Sequence, residues 1–123
     1  MKYLCLLYYD TDAFARLPSA ELEAIGPACR PRDAALKATG RLVTQGSLSL
    51  PDTGTSIRPA TGAPALSKGP FIAGPRQAGA FLFIDADTEA IAVASKRAAA
   101  NVGAELGFGA AVRACVTYES PPG

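Results

Sequence analysis

The chain has 123 residues, of which 49% are hydrophobic and 19% are charged, and its formal net charge is +1. This length predicts one domain over residues 1–123, and the composition excludes a disordered chain. The 12 basic and 11 acidic residues form no basic run that could follow a phosphate backbone. We therefore expect no nucleic-acid partner.

The sequence contains three cysteines and no histidine. Cys5, Cys29 and Cys115 are widely spaced and odd in number, which favours thiols in a reducing cytoplasm over a disulfide framework. Without histidine, the commonest zinc ligand and the usual acid/base group near neutral pH are both missing. We therefore predict a cytoplasmic protein without a metal site or a cofactor.

The first strand is predicted at the apolar run from Tyr3 to Tyr9. This run is too short to span a membrane and is followed by no cleavage site, so we expect neither a membrane segment nor a signal peptide. Because side chains alternate along a strand, its odd-numbered residues form one apolar face and its even-numbered residues form another. Helices in a small α+β protein cover one face of an antiparallel sheet, so the second apolar face predicts a homodimer.

The first helix is predicted to begin after Ser19, which would be its N-cap, and to stop at Gly40. Pro27 and Pro31 each remove a backbone amide. We therefore expect a helix that is kinked or divided into two pieces, the second running from 32 to 39.

The rest of the chain predicts further strands and one more helix. Gly46 lies within the second strand, at 41–48, where it indicates a bulge or a close backbone approach. Residues 85–88 are expected to cap a helix that ends near Gly103. The order β-α-β-β-α-β is that of ferredoxin-like split βαβ domains, an α+β fold with helices on one face of an antiparallel sheet. The other predicted segments are a linker at 10–18, a hairpin strand at 55–58, a central strand at 80–84 that is buried on both faces, and a last strand at 110–118.

Three motifs, in this order and spacing, resemble the YCII-related family. They are the first strand, the segment Gly-Arg-Leu-Val-Thr-Gln-Gly at 40–46, and Gly69-Pro70-Phe71 followed by Gly-Ala-Phe at 79–81. The last motif is similar to the signature of the family's Asp-Gly-Pro-Phe branch, with Lys68 in place of the aspartate. Members of the family are small ferredoxin-like proteins that pair into dimeric α+β barrels, and the resemblance implies that fold here.

The resemblance also implies where acid/base chemistry would lie. Family members in the narrower sense carry a histidine on the first helix and an aspartate just before the Gly-Arg-Leu strand, a pair proposed to move protons. Cys29 stands at the histidine position and Ala38 at the aspartate position. Asp33 would share a helical face with Cys29 if the helix were continuous. Because a lone cysteine without a histidine base is usually inert, we predict no catalytic residue.

Basic residues near the signature are candidates for ligand binding. Lys68 and Arg76 flank the Gly-Pro turn, where the branch carries acidic residues, and they predict a small anionic ligand, since arginine suits a carboxylate. Further candidates near the ends of the strands are Asp10, Arg58 and Arg113. The alternative is that these charges form an ordinary solvated surface.

Three functions compete. The first is a non-catalytic homodimeric barrel that binds a small anionic molecule or a protein partner. Proteins of the Asp-Gly-Pro-Phe branch are often associated with alternative sigma factors, so the resemblance makes such a partner a regulatory one. The second is a small cofactor-independent enzyme, resembling an isomerase or dehydrohalogenase, that acts on an anionic or aromatic substrate. The third is a structural role without a pocket.

Overall fold

The computed structural model describes residues 1–88, 109–117 and 119 of the chain. None of the helices in these residues is both long enough and apolar enough to cross a membrane. A 3-10 turn at Pro51–Thr53 follows the second strand. In chain order, the helices and strands are β1 (Lys2–Asp10), α1 (Thr11–Ala15), α2 (Ser19–Ala38), β2 (Leu42–Ser47), β3 (Thr55–Arg58), β4 (Ala65–Lys68), β5 (Arg76–Asp85) and β6 (Gly109–Ala114).

Four of the strands form one antiparallel sheet in the order β2-β5-β1-β6. β1 and β5 are the central pair, matched from Lys2 opposite Asp85 to Asp10 opposite Arg76. β3 and β4 pair with each other as a separate hairpin. The two central strands are far apart in sequence yet adjacent in the sheet, as in a split βαβ unit. The predicted α+β, ferredoxin-like fold is therefore confirmed.

One face of the sheet carries the hydrophobic core. Cys5 of β1 and Ile84 of β5 are completely buried there, and Leu36 of α2 belongs to the same buried cluster. Burying an aliphatic side chain of this size contributes roughly 1.5–3 kcal/mol. The core therefore holds α2 against β1 and β5. The cluster is completed by Tyr3, Leu82 and Ala86, with Leu7, Leu42 and Val112 packed against it.

The other face of the sheet is apolar but much more accessible. Leu4 is 36% exposed, whereas its neighbour Cys5 is 0% exposed. Phe83 and Phe81 of β5 stand opposite Leu4 and Leu6, and Phe83, Phe81 and Leu6 are only partly buried. Within a single chain the central strand is therefore buried on one face only, and the burial predicted for its second face depends on the predicted homodimer. We call this surface the open face and define it by Leu4, Leu6, Tyr8, Phe81 and Phe83.

α2 differs from its prediction at both its start and its middle. The helix runs without interruption from Ser19 to Ala38, so a helix in two pieces is wrong. Pro27 and Pro31 are both exposed, and their four-residue spacing puts them on one side of the helix, toward solvent. Ser19 is the first helical residue and not the N-cap, a position held by Pro18 without a side-chain hydrogen bond.

The helix end predicted at Gly40 is confirmed, whereas the feature at Gly46 differs from its prediction. Gly40 follows the C-cap Thr39 with a φ of 71°, a conformation that suits glycine and ends α2. A Cβ atom at Gly46 would lie 2.6 Å from the ring of Phe81. Gly46 is therefore a site of close approach by an aromatic side chain, while the irregularity of β2 lies between Leu42 and Thr44.

The predicted linker at 10–18 is wrong, because it contains α1. The predicted second helix from residue 89 onward lies outside the described residues, as does Tyr118 of the last predicted strand. Asp85, which was expected to help cap that helix, accepts a hydrogen bond from the ammonium of Lys2, and this bond lowers the pKa of the Asp85 carboxyl.

Candidate functional site

A cavity of about 500 Å³ lies where β1 ends and α1 begins. Segments from four parts of the chain surround it: the end of β1 with α1, the start of α2, the turn at Pro51–Thr53, and the loop between β4 and β5. We call it the Tyr9 cavity. It is lined by Tyr9, Thr11, Asp12, Phe14, Ala15, Leu17, Leu22, Leu50, Pro51, Asp52, Pro70, Gly74 and Gln77.

A bulge in the sheet positions Tyr9. The pairing of β1 with β5 shifts register between Leu7 and Tyr8, which leaves Gly79 beside the Tyr9 ring. A Cβ atom at Gly79 would lie 2.9 Å from that ring, so only glycine leaves room for it. The ring also meets Phe14 of α1 edge to face, with 5.5 Å between the ring centres. Tyr9 is thereby 8% exposed and fixed at the wall of the cavity.

Asp10 fixes the start of α1. Its Oδ1 accepts hydrogen bonds from the backbone amides of Asp12 and Ala13, at 2.9 and 3.0 Å, so the side chain is the N-cap of the helix. The amide of Thr11 donates to the carbonyl of Pro75 at 2.8 Å, which ties the helix to the loop before β5. These bonds hold Asp12 and Phe14 at the cavity.

The charged side chains that line the Tyr9 cavity are both carboxylates, Asp12 and Asp52. Lysine and arginine are absent from its described lining residues. Burial, and to a smaller extent the negative charge of Asp52, raises the pKa of the Tyr9 phenol. The phenol of Tyr9 therefore stays protonated and neutral at neutral pH.

Arg58, a predicted ligand-binding residue, holds the signature turn in place. Its guanidinium donates to the carbonyl of Phe71 at 2.6 Å and to the hydroxyl of Ser67 at 3.3 Å. It also lies 4.6 Å from the centre of the Phe71 ring. On the other side of the hairpin strand, the buried hydroxyl of Ser56 donates to the carbonyl of Gly69 at 2.7 Å. Arg58 therefore belongs to the frame that supports Gly69–Phe71.

The other basic candidates lie outside the lining of the Tyr9 cavity. Lys68 ends β4, and its ammonium donates to the carbonyl of Thr53 at 3.4 Å. Arg76 begins β5 directly opposite Asp10, so the structure does bring these two predicted residues together. Both basic side chains are exposed to solvent near the rim of the site.

Arg113 lies at the other end of the sheet. It stands opposite Leu4 in β6, next to the open face. Asp10, the partner of Arg76, lies six positions after Leu4 in β1. At about 3.3 Å per residue this is roughly 20 Å of strand. Arg113 and Arg76 therefore do not converge on one ligand within a single chain.

A second cavity, of about 390 Å³, lies between α2 and the sheet. Cys29 and Asp33 of α2 both line it, which follows from the continuity of the helix through Pro31. Gln45 and Ser47 of β2 supply further polar groups. Ala38 is exposed at the end of α2, nine residues from Cys29, which is about 13 Å along a helix. The other lining residues are Leu7 of β1, Gly46 of β2, and Ala80, Phe81 and Leu82 of β5.

A comparison with known protein families shows to which family the chain belongs. The YCII-related domain matches residues 1–115. The chain belongs to the YCII-related family. The match covers the domain as a whole, so the Asp-Gly-Pro-Phe branch stays a prediction. No curated protein matches this YCII-related chain.

In this YCII-related protein, the two positions that the resemblance links to acid/base chemistry lie apart. Cys29 faces a cavity, and Ala38 does not line it. The polar residue that accompanies Cys29 is Asp33, one helical turn away. No group of three or more metal-ligating side chains occurs in the described part of the chain.

Sequence reasoning missed the two carboxylates of the Tyr9 cavity. Asp52 lies in a segment rich in turn residues, and Asp12 follows the N-cap of an unpredicted helix. The sequence Asp-Thr-Asp at 10–12, with its two acidic residues at the start of a helix, is the signal that could have revealed α1. No comparable local signal links Asp52 to Tyr9.

We expect Asp10→Ala to lower the free energy of unfolding by about 1 kcal/mol, because two amides of α1 lose their acceptor. Asp10→Asn is the matched control, since asparagine caps helices as well as aspartate does. Urea denaturation of the three proteins measures the difference. Equal losses in both variants would contradict the capping role and would point to the negative charge instead.

Proposed function

We propose that this YCII-related protein binds a small organic molecule in the Tyr9 cavity and does so as a homodimeric barrel, without the acid/base chemistry of a histidine–aspartate pair. The Tyr9 cavity carries the proposal. Its volume of about 500 Å³ lies within the range of small-molecule sites. Its apolar walls with a few converging polar groups are also typical of such sites.

The residues of the family's acid/base positions support a binding role. The sequence has no histidine, and alanine occupies the position of the aspartate. A side chain that can neither accept a proton nor orient an imidazole leaves this pair without its chemistry. The three thiols further support a reducing, cytoplasmic location.

The open face supports the homodimer. An apolar surface is complementary to a second copy of itself, and a two-fold interface joins the same surface of both subunits. Two antiparallel sheets that meet in this way pack about 10 Å apart, which would bury the phenylalanine rings of β5 from both sides. Arg113, beside the open face, would then lie at the border of the interface.

The dimer is tested by sedimentation equilibrium at micromolar concentration. We expect twice the chain mass of 12.6 kDa for the native protein. Leu4→Lys should weaken self-association at least about tenfold, because it buries an unpaired charge next to Arg113. Leu66→Lys is the matched control, since Leu66 is 68% exposed on the hairpin. A native monomer, or equal association of both variants, would contradict the open face as the interface.

Ligand binding is tested by thermal unfolding in the presence of small carboxylates, phenols and amines. A ligand at about 100 times its Kd stabilises the folded state by roughly 2.7 kcal/mol, which raises Tm by several degrees. A shift by carboxylates that Arg76→Gln removes would support the predicted anionic ligand at the basic residues. No shift with any compound would count against ligand binding as the function.

A cofactor-independent enzyme is the second candidate, and the cavity of Cys29 and Asp33 favours it. The two side chains are one helical turn apart and line the same space with Gln45 and Ser47. A carboxylate in such a space can accept a proton from a bound substrate. The reaction would then be an isomerisation or a dehydrohalogenation of an aromatic or lactone substrate.

This candidate is tested by a screen of lactones and halogenated aromatic acids for turnover. We expect Asp33→Asn to lower any rate found by at least about 100-fold, the usual contribution of a general base. Cys29→Ala should lower it as well, while Cys115→Ala, a thiol outside the cavity, should leave it unchanged. Unaltered rates in the first two variants would remove this cavity as the site.

A further inference from the structure

The Tyr9 cavity has a consistent chemical character that differs from the predicted anionic site. Asp12 and Asp52 are the charged groups of its lining, and the Tyr9 hydroxyl is a neutral donor and acceptor. A bound anion would meet two carboxylates and would gain no cationic partner from the lining. Like charges repel, so this lining disfavours an anion.

The negative charge of Asp52 affects Tyr9, a residue of the cavity wall. Its charge is felt by the phenol of Tyr9, whose pKa it raises together with burial. Two basic residues border the site without lining it: the Lys68 ammonium donates to the carbonyl of Thr53, and Arg76 is the strand partner of Asp10. The charge that the lining itself presents to the Tyr9 phenol is therefore the carboxylate of Asp52.

The aromatic pair gives the cavity a second way to recognise positive charge. Tyr9 and Phe14 meet edge to face at 5.5 Å with an angle of 76° between their planes. At this angle the edge of one ring covers part of the face of the other, and the ring faces left uncovered form a corner that attracts a cation, with about 0.5–2 kcal/mol per contact. Such corners suit an ammonium group that is partly removed from water.

The remaining walls indicate an organic ligand and not a bare metal ion. Leucine and proline side chains make up much of the lining, at Leu17, Leu22, Leu50, Pro51 and Pro70. A calcium ion would require six or more oxygen ligands, and magnesium a near-octahedral set. The described residues contain no group of three or more candidate metal ligands. An apolar body attached to the charged group would use these walls.

We propose that the Tyr9 cavity binds a small organic ammonium ion, with its charge at Asp52 and the Tyr9–Phe14 corner and its apolar body against the leucine and proline walls. This inference rests on the proposed function, because it names the class of molecule that the binding site takes. It concerns the charge of the ligand, which can be varied independently of ligand size.

Three probes of similar size and different charge test the inference: benzylammonium, benzyl alcohol and benzoate. Isothermal titration calorimetry with the full chain at neutral pH measures their Kd values. We expect benzylammonium to bind at least about tenfold more tightly than benzyl alcohol, as a hydrogen bond to a charged group implies. Benzoate should bind more weakly than the alcohol.

Variants locate the interaction. Asp52→Asn should weaken benzylammonium binding about tenfold and leave benzyl alcohol binding nearly unchanged. Asp87→Asn is the matched control, because it makes the same change of charge beyond the far end of β5, roughly 30 Å from Arg76. Circular dichroism verifies that each variant is folded. Phe14→Leu should weaken the binding of benzylammonium several-fold, because leucine keeps the wall apolar but removes the aromatic ring.

The outcomes separate this inference from the proposed function. A preference for benzylammonium that depends on Asp52 supports both the proposed function and this inference. Equal or tighter binding of benzoate or benzyl alcohol overturns the inference and leaves ligand binding in place. If none of the three probes binds, the inference is overturned, and the wider thermal-unfolding panel decides on the proposed function.

Discussion

The antiparallel pairing of β1 with β5 is the constraint on which the rest of the structure depends. It matches the two most apolar segments of the chain and makes them the centre of the sheet. Its single shift of register, between Leu7 and Tyr8, divides the pair into two parts. Before the shift the strands build the core; after it, Gly79 makes room for Tyr9 and the strands build the wall of a cavity.

The fold could be predicted from sequence because its signals are local. Alternation of side chains marked β1, β2 and β6, and Gly40 marked the end of α2. The continuity of α2 could not be predicted, since each proline costs about 3 kcal/mol by itself. Packing of residues such as Leu36, which is 1% exposed, outweighs that cost, and packing depends on contacts that no local pattern records.

The candidate site was much harder to predict than the fold. Its lining comes from segments around Tyr9, Asp52 and Pro70, which only the finished topology brings together. The signature turn did indicate the right region, because Pro70 lines the cavity. The charges near the turn do not line this cavity, and Arg58 and Lys68 donate hydrogen bonds to the carbonyls of Phe71 and Thr53. Basic residues next to a site need not face it.

The prolines of α2 have a mechanical consequence. Pro27 and Pro31 lie on the solvent side of the helix, while Cys29 and Asp33, two residues further on in each case, lie about 200° around it and line the smaller cavity. A proline has no amide to donate, so the carbonyls of Glu23 and Pro27 lack their usual partners four residues later. Curving α2 toward the sheet therefore breaks no further hydrogen bond at these positions. The cavity therefore has a hydrogen-bonded sheet as one wall and, as the other, a helix that can curve at these two positions without losing a further hydrogen bond.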